Sequence, residues 1–421
     1  MSGGIKAVKG MRDLLPPETA LWNHVDAVVR DVFRIYNYGE IRTPLLEETQ
    51  LFARGVGSET DIVAKEMYSF DDRDGGSLTL RPEATASVVR AHIEHNLGLV
   101  PGLTKLYYIG PMFRRERPQK GRYRQFFQIG AEAIGSESPI VDAERLEMLC
   151  TFFDRVGLKD YRILLNSLGD PECRPKYLAT LREALAKVKD KLCGDCQRRA
   201  ETNPLRVLDC KVPQDQEIIA GLPVITDCLC VPCAEHYAAL RRHLDARGIA
   251  YQMTPRMVRG LDYYTRTTFE FVHGSLGAQN SVLGGGRYDG LSEVLGGPKA
   301  PGIGFSIGED RLVYLLAESG AAPSAPALDA YVVWLGDTAF THAAALARGL
   351  RAAGNRVEVQ PEPYKMRRAL ELASKQGARF ALIIGDNEIA SQRYPLKNLA
   401  SGEQKELNEQ EILAALAASR S

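Results

Sequence analysis

The chain has 421 residues, 45% of them apolar and 25% charged, and its 53 basic and 53 acidic side chains cancel. That length exceeds one ordinary core and calls for two or three domains, while the composition excludes a disordered chain. No apolar run reaches the roughly 20 residues of a membrane span, and zero net charge leaves any RNA binding to local basic clusters. The start, Met1-Ser2-Gly3-Gly4-Ile5-Lys6, has neither the apolar stretch of a secretory signal nor a myristoylation pattern. A cytoplasmic protein is expected.

From Pro17 to about Tyr36, Leu21, Val25, Val28, Val29, Val32, Phe33 and Tyr36 recur at helical spacing, with Gly39 beyond the end. Strand-like runs follow at Met67–Phe70 and Ser77–Leu80 around Asp74-Gly75-Gly76, then a helix from about Glu83 to His95. Lys105–Met112 and Gln125–Ile134 read as the two arms of a long hairpin whose polar connection, Arg114–Arg124, is basic. A helix is predicted at Ser138–Val156, with Ser138 as cap and Pro139 in the first position, and a strand at Tyr161–Leu165.

Asp170–Met253 changes character to helix, cysteine-bearing loops and helix, and reads as an insertion. Strands resume at Thr267–Val272, Asn280–Leu283 and Ile303–Ile307, leading into a helix at Gly308–Ser319. Gly320–Pro326 is a linker by composition. Beyond it strands (Ala330–Leu335, Val357–Gln360, Phe380–Ile384) alternate with helices (Ala339–Ala353, Tyr364–Lys375, Glu409–Ala418). The expected fold is therefore an α+β domain on a mainly antiparallel sheet, followed by an α/β domain with a largely parallel sheet. The domains span 1–325, interrupted by the insertion at about 170–253, and 326–421.

In Gln125–Ile134 the two-residue period puts Phe127, Ile129, Ala131 and Ala133 on one face and Gln128 and Glu132 on the other. With the apolar face inward, the second face becomes a floor carrying an amide and a carboxylate, and Arg114 lies close enough to share it. The hairpin tip adds Arg115, Arg117, Lys120, Arg122 and Arg124, with Tyr123 among them. A charge run is ordinarily a solvated surface. A basic tip coupled to a polar floor instead suits phosphate binding beside a polar ligand pocket.

Gly302-Ile-Gly-Phe-Ser-Ile-Gly308 runs into a helix, a glycine spacing that by itself reads first as a tight strand–helix turn; Arg311 in the helix's first turn sits where a positive charge is disfavoured, which suits a phosphate clamp. Arg259-Gly-Leu-Asp-Tyr-Tyr264 and Gly284-Gly-Gly-Arg-Tyr-Asp-Gly-Leu291 bracket a further hairpin, the glycines implying close approach by a ligand or another strand. Two Cys-x-x-Cys pairs, Cys193/Cys196 and Cys230/Cys233, lie in the insertion near Cys210 and Cys228. They read either as a structural four-thiolate Zn²⁺ site in loops or as reduced thiols.

Thr79–Glu83, Gly110–Pro118 and Gly304–Arg311 resemble signature pieces of the class II aminoacyl-tRNA synthetases. Lys9–Pro16, Arg259–Tyr264 and Gly284–Leu291 are similar to segments of the histidyl-tRNA synthetases. The resemblance covers nearly the whole chain, in order. It implies ATP-dependent ligation of L-histidine to tRNA(His) through a histidyl-adenylate, with Mg²⁺, in a homodimer.

It further implies that Glu83 and Thr85 hold the amino group, Gln128 and Glu132 complete the polar pocket, and Tyr263 and Tyr264 line the imidazole site. Glu132 could meet either an imidazole N–H or the ammonium. Arg114 would contact the ATP α-phosphate, Arg311 the phosphates, and Arg259 the α-phosphate or the reacting carboxylate. The basic tip would cover ATP and meet the tRNA acceptor end, and the insertion would touch tRNA. The C-terminal domain, with Arg348, Arg351, Arg356, Lys365, Arg367, Arg368, Lys375 and Arg379, resembles an anticodon-binding domain.

A competing reading is the regulatory paralogue that serves ATP phosphoribosyltransferase. It is disfavoured by the full domain after about residue 329 and by the presence of Arg114, Arg259 and Arg311.

Overall fold

The computed structural model describes residues 4–57, 60–117, 121–320, 328–336 and 338–419. The chain forms two compact units, Met1–Pro323 and Ser324–Ser421. The linker read at Gly320–Pro326 lies, apart from Gly320, outside the described residues.

The first unit opens with α1 (Glu18–Ile35), which buries Leu21, Trp22, Val25, Val29, Val32 and Phe33 on one stripe. After β1 (Gly39–Glu40), the strands β2 (Leu46–Glu48), β3 (Tyr68–Asp71) and β4 (Ser77–Leu80) form a small antiparallel sheet ordered β2–β4–β3. Helix α2 (Thr49–Val56) lies in the β2–β3 connection. Helix α3 (Thr85–Glu94) leads to the long hairpin of β5 (Thr104–Phe113) and β6 (Gln125–Ile134), paired from Thr104↔Ile134 to Phe113↔Gln125. Helix α4 (Pro139–Val156) begins as the sequence predicts: the Ser138 hydroxyl accepts the Ile140 N–H at 3.3 Å.

Strand β7 (Tyr161–Ser167) hands the chain to four helices, α5 (Arg174–Ala186), α6 (Gly194–Thr202), α7 (Pro213–Ala220) and α8 (Val231–Ala246). Much of this segment packs on a cluster of its own, including Tyr177, Leu181, Leu185, Leu192, Leu208 and Ile219. The chain returns through β8 (Gln252–Met253), β9 (Thr265–His273), β10 (Ser281–Arg287), α9 (Leu291–Val294), β11 (Gly302–Gly308) and α10 (Glu309–Glu318).

The main sheet has the order β1–β5–β6–β11–β10–β9–β7–β8, antiparallel from β5 to β7, with the short edge strands β1 and β8 added in parallel. Its period-2 alternation decides everything that follows. Ile129, Ala131 and Ala133 of β6, Ile303, Phe305 and Ile307 of β11, and Phe269 and Phe271 of β9 share one core with Phe33 of α1 and Phe152 and Phe153 of α4. The residues between them face the other way and build the site.

One buried ion pair fastens the helix layer to this sheet. Arg287, at the end of β10, places its guanidinium 2.6 Å from one carboxylate oxygen of Asp142 in the first turn of α4 and 3.0 Å from the other, and both side chains are fully buried. Arg287 also donates to the carbonyls of Ser136 and Ser138 and to Asp289, while the Thr267 hydroxyl donates to Asp142 at 2.6 Å.

The second unit contains β12 (Leu328–Trp334), α11 (Ala339–Ala352), β13 (Val357–Val359), α12 (Met366–Lys375), β14 (Ala378–Ile384), α13 (Asp386–Ser391), β15 (Tyr394–Asn398), β16 (Gln404–Leu407) and α14 (Glu409–Ala418). The expected parallel sheet forms over β13–β12–β14, and two antiparallel strands, β15 and β16, extend it. The sequence reading missed that extension. Its strands carry Pro395, Lys397, Gln404, Lys405 and Glu406, residues that keep an edge from pairing further and so conceal a strand pattern.

Removing one member of a fully buried pair leaves the other charge uncompensated, at a cost of about 3–5 kcal/mol. Arg287→Met is expected to lower the urea midpoint of the first unit's unfolding by a corresponding amount, and Asp142→Asn,Arg287→Met to recover part of it. A midpoint unchanged in the single variant would show that the pair does not hold α4 to the sheet.

Candidate active site

The second face of the sheet borders a cavity of about 320 Å³. Glu83 and Thr85 reach it from the start of α3, Gln128 from β6, Arg114 from the end of β5, and Arg259, Tyr263 and Tyr264 from the loop before β9. Arg311 reaches it from α10. The structure thus brings together, around one space, every sequence-predicted substrate residue except Glu132.

Glu83 lies just before the helix predicted to include it. Its carboxylate accepts the N–H of Thr85 at 2.8 Å and of Ala86 at 2.9 Å, satisfying two donors at the start of α3. Burial pushes its carboxyl up from the ordinary range, opposed by those N–H groups. Gln128 is 6% exposed, and its amide oxygen has no partner among the described residues, an acceptor left available at the cavity wall.

Glu132 does not line the cavity but lies one layer deeper, wholly buried. Its oxygens accept from the Thr85 hydroxyl at 2.8 Å and the Tyr288 hydroxyl at 2.7 Å. Burial pushes its carboxyl up to about 8, so it holds its proton at neutral pH.

The glycines read as allowing close approach by a ligand or another strand make room for the protein's own side chains. Gly304 sits opposite Glu132 on β11, and a Cβ there would stand 1.6 Å from the carboxylate. A Cβ at Gly284 would stand 2.1 Å from the Arg259 guanidinium.

The arginines approach from the other side. Arg114 Nε donates to the Pro82 carbonyl at 2.8 Å with its guanidinium 5.2 Å from the Phe126 ring, and Arg311 donates to the Ser281 carbonyl at 2.6 Å. Burial lowers the Arg311 pKa, and the positive charges of Arg122 and Arg114 lower it further against the opposing carboxylates of Glu116 and Glu270, so these groups share one field. Arg259 is ion-paired with Glu270 and lies 5.8 Å from the Tyr264 ring centroid. Tyr263 and Tyr264 stand 4.7 Å apart, and Tyr288 packs edge-on against Tyr263.

From the tip, Arg122 and Tyr123 border the cavity, whereas Arg115, Arg117 and Arg124 do not, and Lys120 lies outside the described residues. Sequence reasoning missed Glu116, Glu270 and Tyr288. Glu270 was detectable, since it is the one acidic residue in the apolar run Phe269-Glu270-Phe271-Val272.

The four-cysteine set does not form. Cys193 and Cys196 gather with Cys210 and Asp215, and Cys230 and Cys233 with Asp170 and Cys173. Nor do the pairs lie in loops: Cys193 caps α6 and Cys230 caps α8, with Cys196 and Cys233 in the first turns, and the fold keeps those two helix starts in separate clusters.

A mainly antiparallel sheet with helices packed on one face, and on the other a pocket where arginines meet acidic and amide groups, defines the catalytic body of a class II aminoacyl-tRNA synthetase. The family model described as Histidyl-tRNA synthetase matches residues 10–191 and 213–312, and that described as Anticodon binding domain matches 329–419. The chain belongs to the histidyl-tRNA synthetase family. It is 65% identical over 416 residues to a histidine–tRNA ligase of Solibacter usitatus, covering 98% of this chain and 99% of that protein. It is 60% identical over 420 residues to one of Koribacter versatilis, covering 97% and 95%. The crystal structure of apo histidyl-tRNA synthetase from S. aureus aligns with a TM-score of 0.82 at 37% identity, covering 98% of this chain and all of that one.

The raised carboxyl of Glu132 sets a pH signature. Its folded value of about 8 lies above the ordinary 4.5, so the folded state binds the extra proton. The stability this contributes is complete below the unfolded value and is lost as pH rises through the folded one. Between about pH 6 and pH 9 the ligand-free protein should lose more melting temperature than Glu132→Gln; parallel curves would contradict a protonated Glu132.

Proposed function

We propose that the cavity binds L-histidine and ATP side by side and forms histidyl-adenylate, whose histidyl group then passes to the terminal ribose of tRNA(His). The reaction is the ATP-dependent charging of tRNA(His) with histidine. The observation that carries this reading is the convergence of Arg114, Arg259 and Arg311 on the space lined by Glu83, Gln128, Tyr263 and Tyr264.

In the first step a histidine carboxylate oxygen bonds to the α-phosphorus while the bond to the bridging oxygen breaks and pyrophosphate leaves. Two anions must approach one another, so positioning and charge neutralisation do the work and no side-chain nucleophile is required. Arg114 holds the α-phosphate, Arg311 the outer phosphates, and Arg259 the α-phosphate or the reacting carboxylate. Glu270 keeps Arg259 aimed across the cavity until that anion arrives.

Mg²⁺ in such sites takes one or two carboxylates together with phosphate oxygens and neutralises the charge of the triphosphate. Glu116 and Glu270 line the cavity among the arginines and would hold it.

The two acidic groups of the amino-acid pocket divide the labour. Glu83 lines the cavity between the arginines and the tyrosines, so with Thr85 and the unpartnered Gln128 oxygen it takes the ammonium. Glu132 accepts the Tyr288 hydroxyl and lies deepest among the tyrosines, so it marks the imidazole end. A pocket that hydrogen-bonds an imidazole rejects apolar amino acids strongly, which leaves a separate editing step unnecessary. In the second step a ribose hydroxyl attacks the adenylate carbonyl and AMP leaves.

The second unit serves as the anticodon-binding domain. Among its basic residues, Arg351 is engaged with the Val357 carbonyl and Arg379 with Asp329, so both serve the fold. Arg367, Arg368 and Lys375 of α12 remain exposed for RNA. We place the protein in the cytoplasm as a homodimer, for which the exposed Leu45, Leu46 and Phe70 at the small sheet supply apolar surface. Among the described residues no single helix is long and apolar enough to cross a membrane.

Histidine, and no other amino acid, should drive ATP–pyrophosphate exchange. Arg259→Ala should slow that exchange by on the order of 10²–10³-fold with an unchanged circular dichroism spectrum, as expected when a donor to the developing charge is lost. Wild-type exchange in that variant would remove Arg259 from the chemistry. Gln128→Ala should act chiefly on the KM for histidine, by about tenfold, the cost of one hydrogen bond to a charged group.

A further inference from the structure

Outside the cavity, the insertion carries two compact groups of soft ligands, and none of their eight residues borders the active site. The first joins Cys193, Cys196, Cys210 and Asp215; the second joins Asp170, Cys173, Cys230 and Cys233. In each, every ligand atom lies within 4.8 Å of every other. The Cys193 and Cys210 sulfurs are 3.9 Å apart, and Cys210 Sγ is 3.1 Å from Asp215 Oδ2. In the second group Asp170 Oδ1 is 3.3 Å from Cys173 Sγ and 3.7 Å from Cys230 Sγ. Thiolates at about 2.3 Å from a tetrahedral zinc stand roughly 3.8 Å apart, so both groups already have nearly the size a single ion requires. The Cys193 and Cys210 sulfurs stand well beyond the roughly 2.05 Å of a disulfide bond, and all eight cysteines of the chain are free thiols.

The backbone is arranged for anionic ligands. Cys193 and Cys196 occupy the N-cap and first turn of α6, Cys230 and Cys233 the same two positions of α8, Cys173 the N-cap of α5, and Asp215 the first turn of α7. Each group therefore sits where two helix N-termini meet, the end that favours thiolate and carboxylate. The ligands are also held from behind. Asp215 accepts the Cys193 N–H at 3.0 Å, Asp170 accepts those of Glu172 at 3.0 Å and Cys173 at 3.1 Å, and Cys210 Sγ accepts the Val212 N–H at 3.5 Å. Cys173, Cys196, Cys210, Cys233 and Asp215 are all buried, so an empty group would leave a carboxylate facing neutral thiols with little solvent.

We propose that the insertion holds two structural Zn²⁺ ions, one bound by Cys193, Cys196, Cys210 and Asp215 and one by Asp170, Cys173, Cys230 and Cys233. Three thiolates and a carboxylate select zinc over hard cations, and four protein ligands leave no open position for catalysis. The two ions have different tasks. The first ties α6 to α7 inside the insertion. The second clasps its root, joining the stretch just after β7 to the start of α8 and closing the loop that contains the rest.

The test uses the full-length protein, stripped of metal under reducing conditions and titrated with Co²⁺. Two equivalents should bind per chain, each giving the intense visible bands of tetrahedral cobalt and sulfur-to-metal charge transfer, and Zn²⁺ should displace both. Cys210→Ser should abolish one equivalent and Cys173→Ser the other. Saturation at one equivalent or none, the weak spectrum of octahedral cobalt, or eight freely reactive thiols in protein equilibrated with Zn²⁺ would each overturn the proposal. The wild-type stoichiometry decides the matter even if a variant fails to fold.

Discussion

The site depends on how β10 is fixed. Arg287 and Asp142 are both fully buried, and a buried pair is tolerated only when its geometry is nearly complete. Here it is: the guanidinium meets both Asp142 oxygens, two backbone carbonyls and Asp289. That arrangement locks the end of one strand against the first turn of α4, and the neighbouring residues inherit its precision. Tyr288 holds Glu132, and Gly284, three residues before Arg287, leaves the space into which Arg259 extends. One clamp thus sets the deep acidic end of the pocket and one of its cations.

The cavity is polarised. Arg114, Arg122 and Arg311 gather at one end, where the repulsion of Arg122 and Arg114 felt at Arg311 is only partly offset by Glu116, and an incoming triphosphate would relieve the rest. At the other end Glu132 avoids an uncompensated charge by keeping its proton and donating or accepting within the Thr85–Glu132–Tyr288 chain. Between them Glu83 retains a cap's duty to α3 while facing the cavity. A charge that caps a helix is held rigidly, and rigidity is what a residue selecting an ammonium needs.

The insertion answers a different problem. Helices α5, α6 and α7 share a small core, whereas α8 packs on the main one through Tyr237, Leu240 and Leu244. Ligand groups at helix N-termini suit such a segment, because a bound ion adds to its stability without demanding more apolar surface.

Much was written locally. Strand alternation in Gln125–Ile134 separated Ile129 and Ala131 from Gln128 and Glu132 before any fold was known, and Ser138-Pro139 marked a helix start to the residue. These signals survive because period and capping are properties of a few neighbouring residues. What only the tertiary structure decided were the long-range partnerships. Nothing in Gly304 announces that it is bare to admit Glu132 from the adjacent strand, nor in Glu270 that it answers Arg259. Cys-x-x-Cys spacing gives two ligands of a set but not which others join them, and Cys210, Cys173, Asp170 and Asp215 are chosen by how the helices meet. Sequence specified the chemical groups and the faces they occupy. Which groups share a cavity, a proton or an ion depended on strand register and helix packing, which bring together residues as distant in the chain as Glu132 and Tyr288.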